Sequence, residues 1–168
     1  MFQKDEYVFY ESGGICRISD IQISPLEGMP ADREYYVLQS VHDKNGVIYI
    51  PVDSDRVFLR RLLNREEAQA LLDSIPSVEV IIEENAKLLR NKYLEAMRTH
   101  QPLEWVRIIK TVYRRTTDPE RQRQRLSETE RSLAENAKRY LYTELSLALG
   151  HPVEGMEEYI IEHVKKMA

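Results

Sequence analysis

One cysteine in 168 residues, Cys16, leaves no partner for an internal disulfide and suits a reducing cytosol. It also excludes a zinc site built from cysteines. Glycine is scarce, at six residues, and forms neither a Walker A loop nor a GxGxxG turn; Gly13-Gly14 is an isolated pair. No serine sits in a GxSxG elbow. The four histidines, His42, His100, His151 and His163, show no HxxxH, HxH or HxxEH spacing, so a helical metal pair is not visible. No apolar run approaches the roughly 18–20 residues that a membrane span needs. The first ten residues lack both a basic n-region and an apolar h-region, so no secretory signal is expected. Internal repeats and low-complexity tracts are also missing. Carboxylate pairs such as Asp53/Asp55 and Glu83/Glu84 are expected by chance among 28 acids and read as solvated or capping groups. These absences argue for a non-enzymatic protein with no catalytic residues, no metal and no cofactor.

What is present divides by charge and by period. Against 28 Asp and Glu stand 24 Lys and Arg, for a net charge of -4. Residues 1–58 carry five basic and ten acidic side chains, whereas residues 86–125 carry eleven basic and four acidic ones. An acidic chain with so local a positive excess has something to direct it at.

The first part reads as β. Tyr7 to Tyr10 is an aromatic and β-branched run closed by the turn Ser12-Gly13-Gly14. Residues 15–23 alternate imperfectly, and 25–32, with two prolines and a glycine, is a loop. Residues 35–41 and 47–52 make a pair of strands joined by Asp43-Lys44-Asn45-Gly46, where Asn-Gly signals a type I′ hairpin turn. From about residue 59 the period becomes helical. Asn64 and Glu67 form an N-cap with an acidic N3 residue, and Pro76 ends that helix. Val78, Val80, Ile81 and Ile82 are either a strand-like connector or the opening of a helix. A helix over 83–98 places Leu88, Leu89, Lys92, Tyr93 and Ala96 near one face. Pro102 opens the next helix, where Trp105, Ile108, Ile109 and Val112 share a face and read as core. Residues 116–126 are a basic loop. Ser127 to Glu130 is a capping box opening the longest helix, with Glu144 on its inward face and Gly150 as its stop. The expected class is α+β: a small antiparallel β domain over 1–55 and an all-helical domain over 56–168.

The basic segment has two readings from its residues alone. Its cations are solvated helix faces and i,i+4 partners, or they contact phosphates. Cys16, inside a strand, reads as a small buried hydrophobe.

The order of these motifs resembles the CarD/CdnL family of bacterial transcription regulators along nearly the whole chain. The stretch Phe2 to Tyr10, then Gly13-Gly14-Ile15, is similar to the family's opening strand and glycine turn. Glu34-Tyr35-Tyr36-Val37-Leu38 and Val47-Ile48-Tyr49-Ile50-Pro51-Val52 are similar to its central hairpin. Residues 90–97, Val112-Tyr113-Arg114-Arg115, 126–130 and 140–148 follow its helical domain in order. The resemblance implies a Tudor/SH3-like domain that binds the RNA polymerase β subunit, as in transcription–repair coupling factors, and a helical domain that binds promoter DNA and modulates open-complex stability. On that basis Ser24, Val47, Tyr49 and Pro51 are the expected polymerase contacts, with 47–52 as an exposed edge strand. Lys87, Arg90, Lys92, Arg114, Arg115, Arg121 and Arg123 are the expected DNA contacts. Where family members carry a tryptophan wedge, this chain has Asn85 or Ala86. A cytoplasmic, nucleoid-associated protein is expected, not in a membrane, with the oligomeric state left open and a monomer favoured. The alternative is an interaction module that docks polymerase, or another partner, without binding DNA.

Overall fold

The computed structural model describes residues 1–120 and 125–168. It contains two compact units, Met1–Leu62 and Leu63–Ala168.

The N-terminal unit is one antiparallel sheet of five strands: β1 (Tyr7–Tyr10), β2 (Gly14–Ile23), β3 (Glu34–Ser40), β4 (Val47–Pro51) and β5 (Leu59–Arg61), in spatial order β4-β3-β2-β1-β5. The imperfect alternation of residues 15–23 has a local cause. The β2–β3 register slips between Ile18 and Asp20, so Ser19 bulges and the side chains after it change face. Val8, Cys16, Ile18, Tyr36, Leu38 and Ile50 form the buried core of one face, flanked by Phe2, Tyr10, Ile21, Ile48, Val52, Val57 and Leu59. Burial of the Cys16 thiol raises its pKa to about 11, which keeps it protonated and inert.

Two expectations need correction here. The helical half does not begin at 56. Leu59, Arg60 and Arg61 pair with Tyr10, Phe9 and Val8, so three residues with no alternating apolar pattern become a strand because β1 offers an unpaired edge. The turn after β3 is not type I′ either. Neither Asn45 nor Gly46 has a positive φ. The chain instead takes a six-residue connection over 41–46. Ser40 Oγ accepts from the His42 and Asp43 N–H groups at 3.1 and 3.3 Å, and Asp43 Oδ1 accepts from Asn45 N–H at 3.0 Å. Asx chemistry at Asp43 outcompetes the Asn-Gly preference.

The C-terminal unit is helical: α1 (Arg65–Ser74), α2 (Ala86–Arg98), α3 (Pro102–Thr117), α4 (Glu128–Leu149) and α5 (Met156–Met167), with 3-10 turns at Ile75–Ser77 and Val153–Gly155. Caps set the boundaries. Asn64 with Glu67 and Ser127 with Glu130 form complete capping boxes, Asn85 caps α2, and Gly150 ends α4 at φ 66°. Inside lie Leu72, Leu89, Tyr93, Ala96, Trp105, Ile108, Ala137, Leu141, Leu145 and Met156, with Trp105 against the Tyr140 ring at 5.6 Å. Leu88 departs from the expected inward face and is half exposed. Glu144 is fully buried and accepts the Leu63 N–H at 2.9 Å, as a buried carboxylate on a core face must find donors. Residues 78–82 form neither strand nor helix: they lead from an extended Val78 to the α2 cap.

Side chains crowd closely around Gly13 in the β1–β2 turn. A Cβ there would meet Tyr10 Cδ1 at 2.9 Å, Ile48 Cδ1 at 3.0 Å and the Cys16 sulfur at 3.4 Å. Gly13→Ala should therefore cost about 1–3 kcal/mol of stability by overpacking. The loss should show as a lower denaturant midpoint with an unchanged slope.

Candidate functional site

Two surfaces carry the residues singled out by sequence. On the sheet, β4 is an edge strand, paired with β3 on one side. Its alternation turns Ile48 and Ile50 to the core, so Val47, Tyr49 and Pro51 share the opposite face, with Val47 more than half exposed. Ser24 is not among them. It lies past the end of β2 at φ 43°, its N–H donating to Arg33 O at 2.9 Å and its hydroxyl to Pro30 O at 2.5 Å. Those bonds close the 24–33 loop, so Ser24 serves its own backbone. Nearby, Arg33 pairs with Asp53 at 3.2 Å and lies over the Tyr35 ring.

On the helices, Lys87, Arg90, Asn91 and Arg98 form one exposed stripe of α2, opposite the buried Leu89, Tyr93 and Ala96. Arg114 is exposed in the last turn of α3, where it also suits the carbonyl end of the helix. Sequence reasoning misses Arg98, although its spacing of eleven from Lys87 puts it on the same face. Among the described residues none of Lys87, Arg90, Arg98 and Arg114 forms an ion pair.

Other cations are committed inside the unit. Arg115, expected at a phosphate, is mostly buried and pairs with Glu130, whose Oε2 also accepts from the Tyr93 hydroxyl at 3.3 Å. Its charge is neutralised where it sits. Lys92 donates to Glu83 at 3.1 Å and Ile82 O at 3.4 Å, so it too is held by the protein. Lys110 Nζ donates to Ile75 O, Pro76 O and Val78 O at 2.8, 3.0 and 2.7 Å, with burial and the nearby Arg114 lowering its pKa. Arg107 Nε donates to Glu79 O at 3.2 Å. Arg121 and Arg123 lie outside the described residues. At the wedge position, Asn85 is the α2 N-cap, its side chain accepting from Leu88 N–H at 3.0 Å, and Ala86 is the first helical residue.

The Tyr93–Arg115–Glu130 group joins three helices. Glu130 divides its oxygens: Oε2 holds Arg115 and Tyr93, while Oε1 closes the capping box on Ser127 N–H at 3.4 Å. Burial, assisted by the Glu130 charge, raises the Tyr93 pKa to about 12.

Among the described residues no group of three His, Cys, Asp or Glu side chains could hold a metal ion, and no helix is long and apolar enough to cross a membrane. A β unit with an open edge, followed by a helical unit that displays cations, defines a two-module interaction protein. Comparison with protein families names it more closely. Residues 2–63 match the CarD-like/TRCF RID domain, and residues 70–161 match the CarD C-terminal domain. The chain belongs to the CarD-like family of RNA polymerase-interacting transcription factors. Its N-terminal unit is the Tudor-like domain that in this family interacts with the polymerase β subunit. No curated protein matches the chain.

Removing Glu130 leaves Arg115 buried without its partner and undoes a helix cap, so Glu130→Ala should destabilise the protein by about 3–5 kcal/mol. The double variant with Arg115→Ala should cost less than the two singles summed, as a thermodynamic cycle would show. Tyr93 sets a pH dependence of its own. With the folded pKa above the unfolded one, the unfolded chain ionises first. Stability should fall as pH rises from about 10 to 12. Thermal melts across that window should fall less steeply for Tyr93→Phe.

Proposed function

We propose that this protein is a cytoplasmic, nucleoid-associated regulator that bridges RNA polymerase and promoter DNA and modulates the stability of the open complex. The observation that carries this reading is the pairing of two surfaces in a chain of the CarD-like family. One is the open β4 edge; the other is the set of exposed cations on a protein whose net charge is negative. A strand of the polymerase β subunit adds to β4 through main-chain hydrogen bonds, with Val47, Tyr49 and Pro51 as the side-chain contacts. The acidic N-terminal unit favours a basic surface on that partner.

On the helical side, Lys87, Arg90, Arg98 and Arg114 contact phosphates, joined by Arg121 and Arg123. Each such cation releases counterions and adds to the salt dependence. No covalent chemistry is involved. The regulator binds the open promoter complex more tightly than the closed one and shifts their populations by that difference.

A second reading has its own support. Arg115, Lys92, Lys110 and Arg107 are spent on internal partners, and the wedge position holds a helix cap in place of an aromatic ring. Both features favour a module that docks polymerase without gripping DNA.

Binding of a promoter fragment at several salt concentrations separates the two. Under the bridging reading, Lys87→Glu/Arg90→Glu/Arg114→Glu weakens binding at least tenfold and flattens the log–log salt slope by up to about 0.9 for each phosphate no longer neutralised. Unchanged affinity and slope would leave the docking module. The sheet is tested separately. Val47→Asp/Tyr49→Asp should weaken binding to the isolated β subunit tenfold or more and shorten open-complex lifetime toward that of polymerase alone, with the promoter-fragment affinity unchanged.

A further inference from the structure

The segment over residues 78–82, Val-Glu-Val-Ile-Ile, has the composition of a central strand and no sheet to join. It opens extended at Val78, whose N–H closes the preceding turn on Ile75 O, and from there side chains of α2 and α3 hold it. Ile81 N–H donates to Thr111 Oγ1 at 2.9 Å, Arg107 Nε donates to Glu79 O, and Lys110 Nζ reaches Val78 O. The Glu79 C=O and the Ile81 N–H are thus both taken by side chains of α3. Val78 O goes to Lys110 of the same helix and Ile82 O to Lys92 of α2, which leaves the backbone groups of Val80 and the Ile82 N–H between them. Among the described residues, no hydrogen bond engages the N–H or C=O of Val80 or the N–H of Ile82. Ile82 itself is 70% exposed.

Beside this backbone runs an open groove of about 550 Å³, lined by residues that include Glu79, Val80, Ile82, Lys92, Glu95 and Ala96. Its two cations are already neutralised: Lys92 by Glu83 at 3.1 Å, and Arg107 by Glu104 at 3.6 Å. Glu79 and Glu95 remain exposed and form no ion pair among the described residues. The groove is therefore acidic, and a polyanion is repelled from it.

We infer that residues 78–82 are a docking strand for an extended segment of a partner protein, in which apolar residues alternate with lysine or arginine. Such a segment adds to the free side of the strand. It donates to and accepts from Val80, takes the Ile82 N–H, covers the Ile82 side chain, and sets its cations against Glu79 and Glu95. A second copy of this chain fits poorly, because it would bring a second acidic groove, with its own Glu79 and Glu95, against the first. The inference uses neither the β4 edge nor Lys87, Arg90, Arg98 and Arg114, so it stands or falls apart from the function proposed above.

The test is backbone-amide NMR and fluorescence anisotropy on the full chain with three probes. These are a seven-residue capped peptide of alternating lysine and valine, its glutamate–valine counterpart, and a short DNA duplex. The lysine–valine peptide should shift the amides of Val80 and Ile82 and slow their hydrogen exchange. Glu79→Lys/Glu95→Lys should weaken that binding at least tenfold, and Val80→Pro, which removes the central donor, should abolish it. Should Val80→Pro fail to keep the dispersed spectrum of the native fold, the charge variant decides alone. Equal binding of the glutamate peptide, shifts confined to β4, shifts at residues 79–82 caused by the duplex, or no shifts at all would each overturn the inference.

Discussion

The helical unit turns on one carboxylate. Glu130 is the N3 residue of the α4 capping box, the counter-ion of Arg115 on α3, and the acceptor for the Tyr93 hydroxyl on α2. A buried charge of this kind is tolerated only when its lone pairs are filled, and the three helices fill them together. The middle of α2 and the last turn of α3 are thereby held to the start of the longest helix. The same group explains why a sequence rich in arginine does not place every arginine outside.

Charge in the middle of the chain has two uses that composition does not separate. Lys110, Arg107 and Lys92 reach backbone carbonyls of the segment between α1 and α2, replacing hydrogen bonds that a strand partner would supply. Lys87, Arg90, Arg98 and Arg114 stay in water. Direction around a helix does not make the distinction, because Lys110 and Arg114 are one turn apart on the same face of α3 and differ in what lies beside them. The local excess of positive charge is thus partly structural, and the share available for phosphates is smaller than a count suggests.

The N-terminal unit relies on a different constraint. Gly13 lets the β1–β2 turn close against Tyr10 and Ile48, and that closure aligns β1 with β2 and leaves β1 free to take up β5. The far edge, β4, stays open, and its core-facing isoleucines fix which residues it presents.

Local pattern was sufficient for much of this. The strands 7–10 and 35–40, the Asn64 and Ser127 caps, the Pro102 start, the Gly150 stop, the buried Cys16 and Trp105, and the outward face of Val47, Tyr49 and Pro51 all follow from side-chain period or from a cap's own hydrogen bonds, which act within a few residues. The ordered motifs also carried the family. Tertiary structure decided the rest. It made β5 from Leu59–Arg61 because β1 had an unpaired edge. It gave the 41–46 turn to Asp43 and Ser40, buried Arg115 against a residue fifteen positions away, and left 78–82 outside any helix or sheet because side chains of α2 and α3 supplied its partners. Each of those outcomes depends on which groups meet across the fold, and a helix or strand period says which way a residue points but not what it will find there.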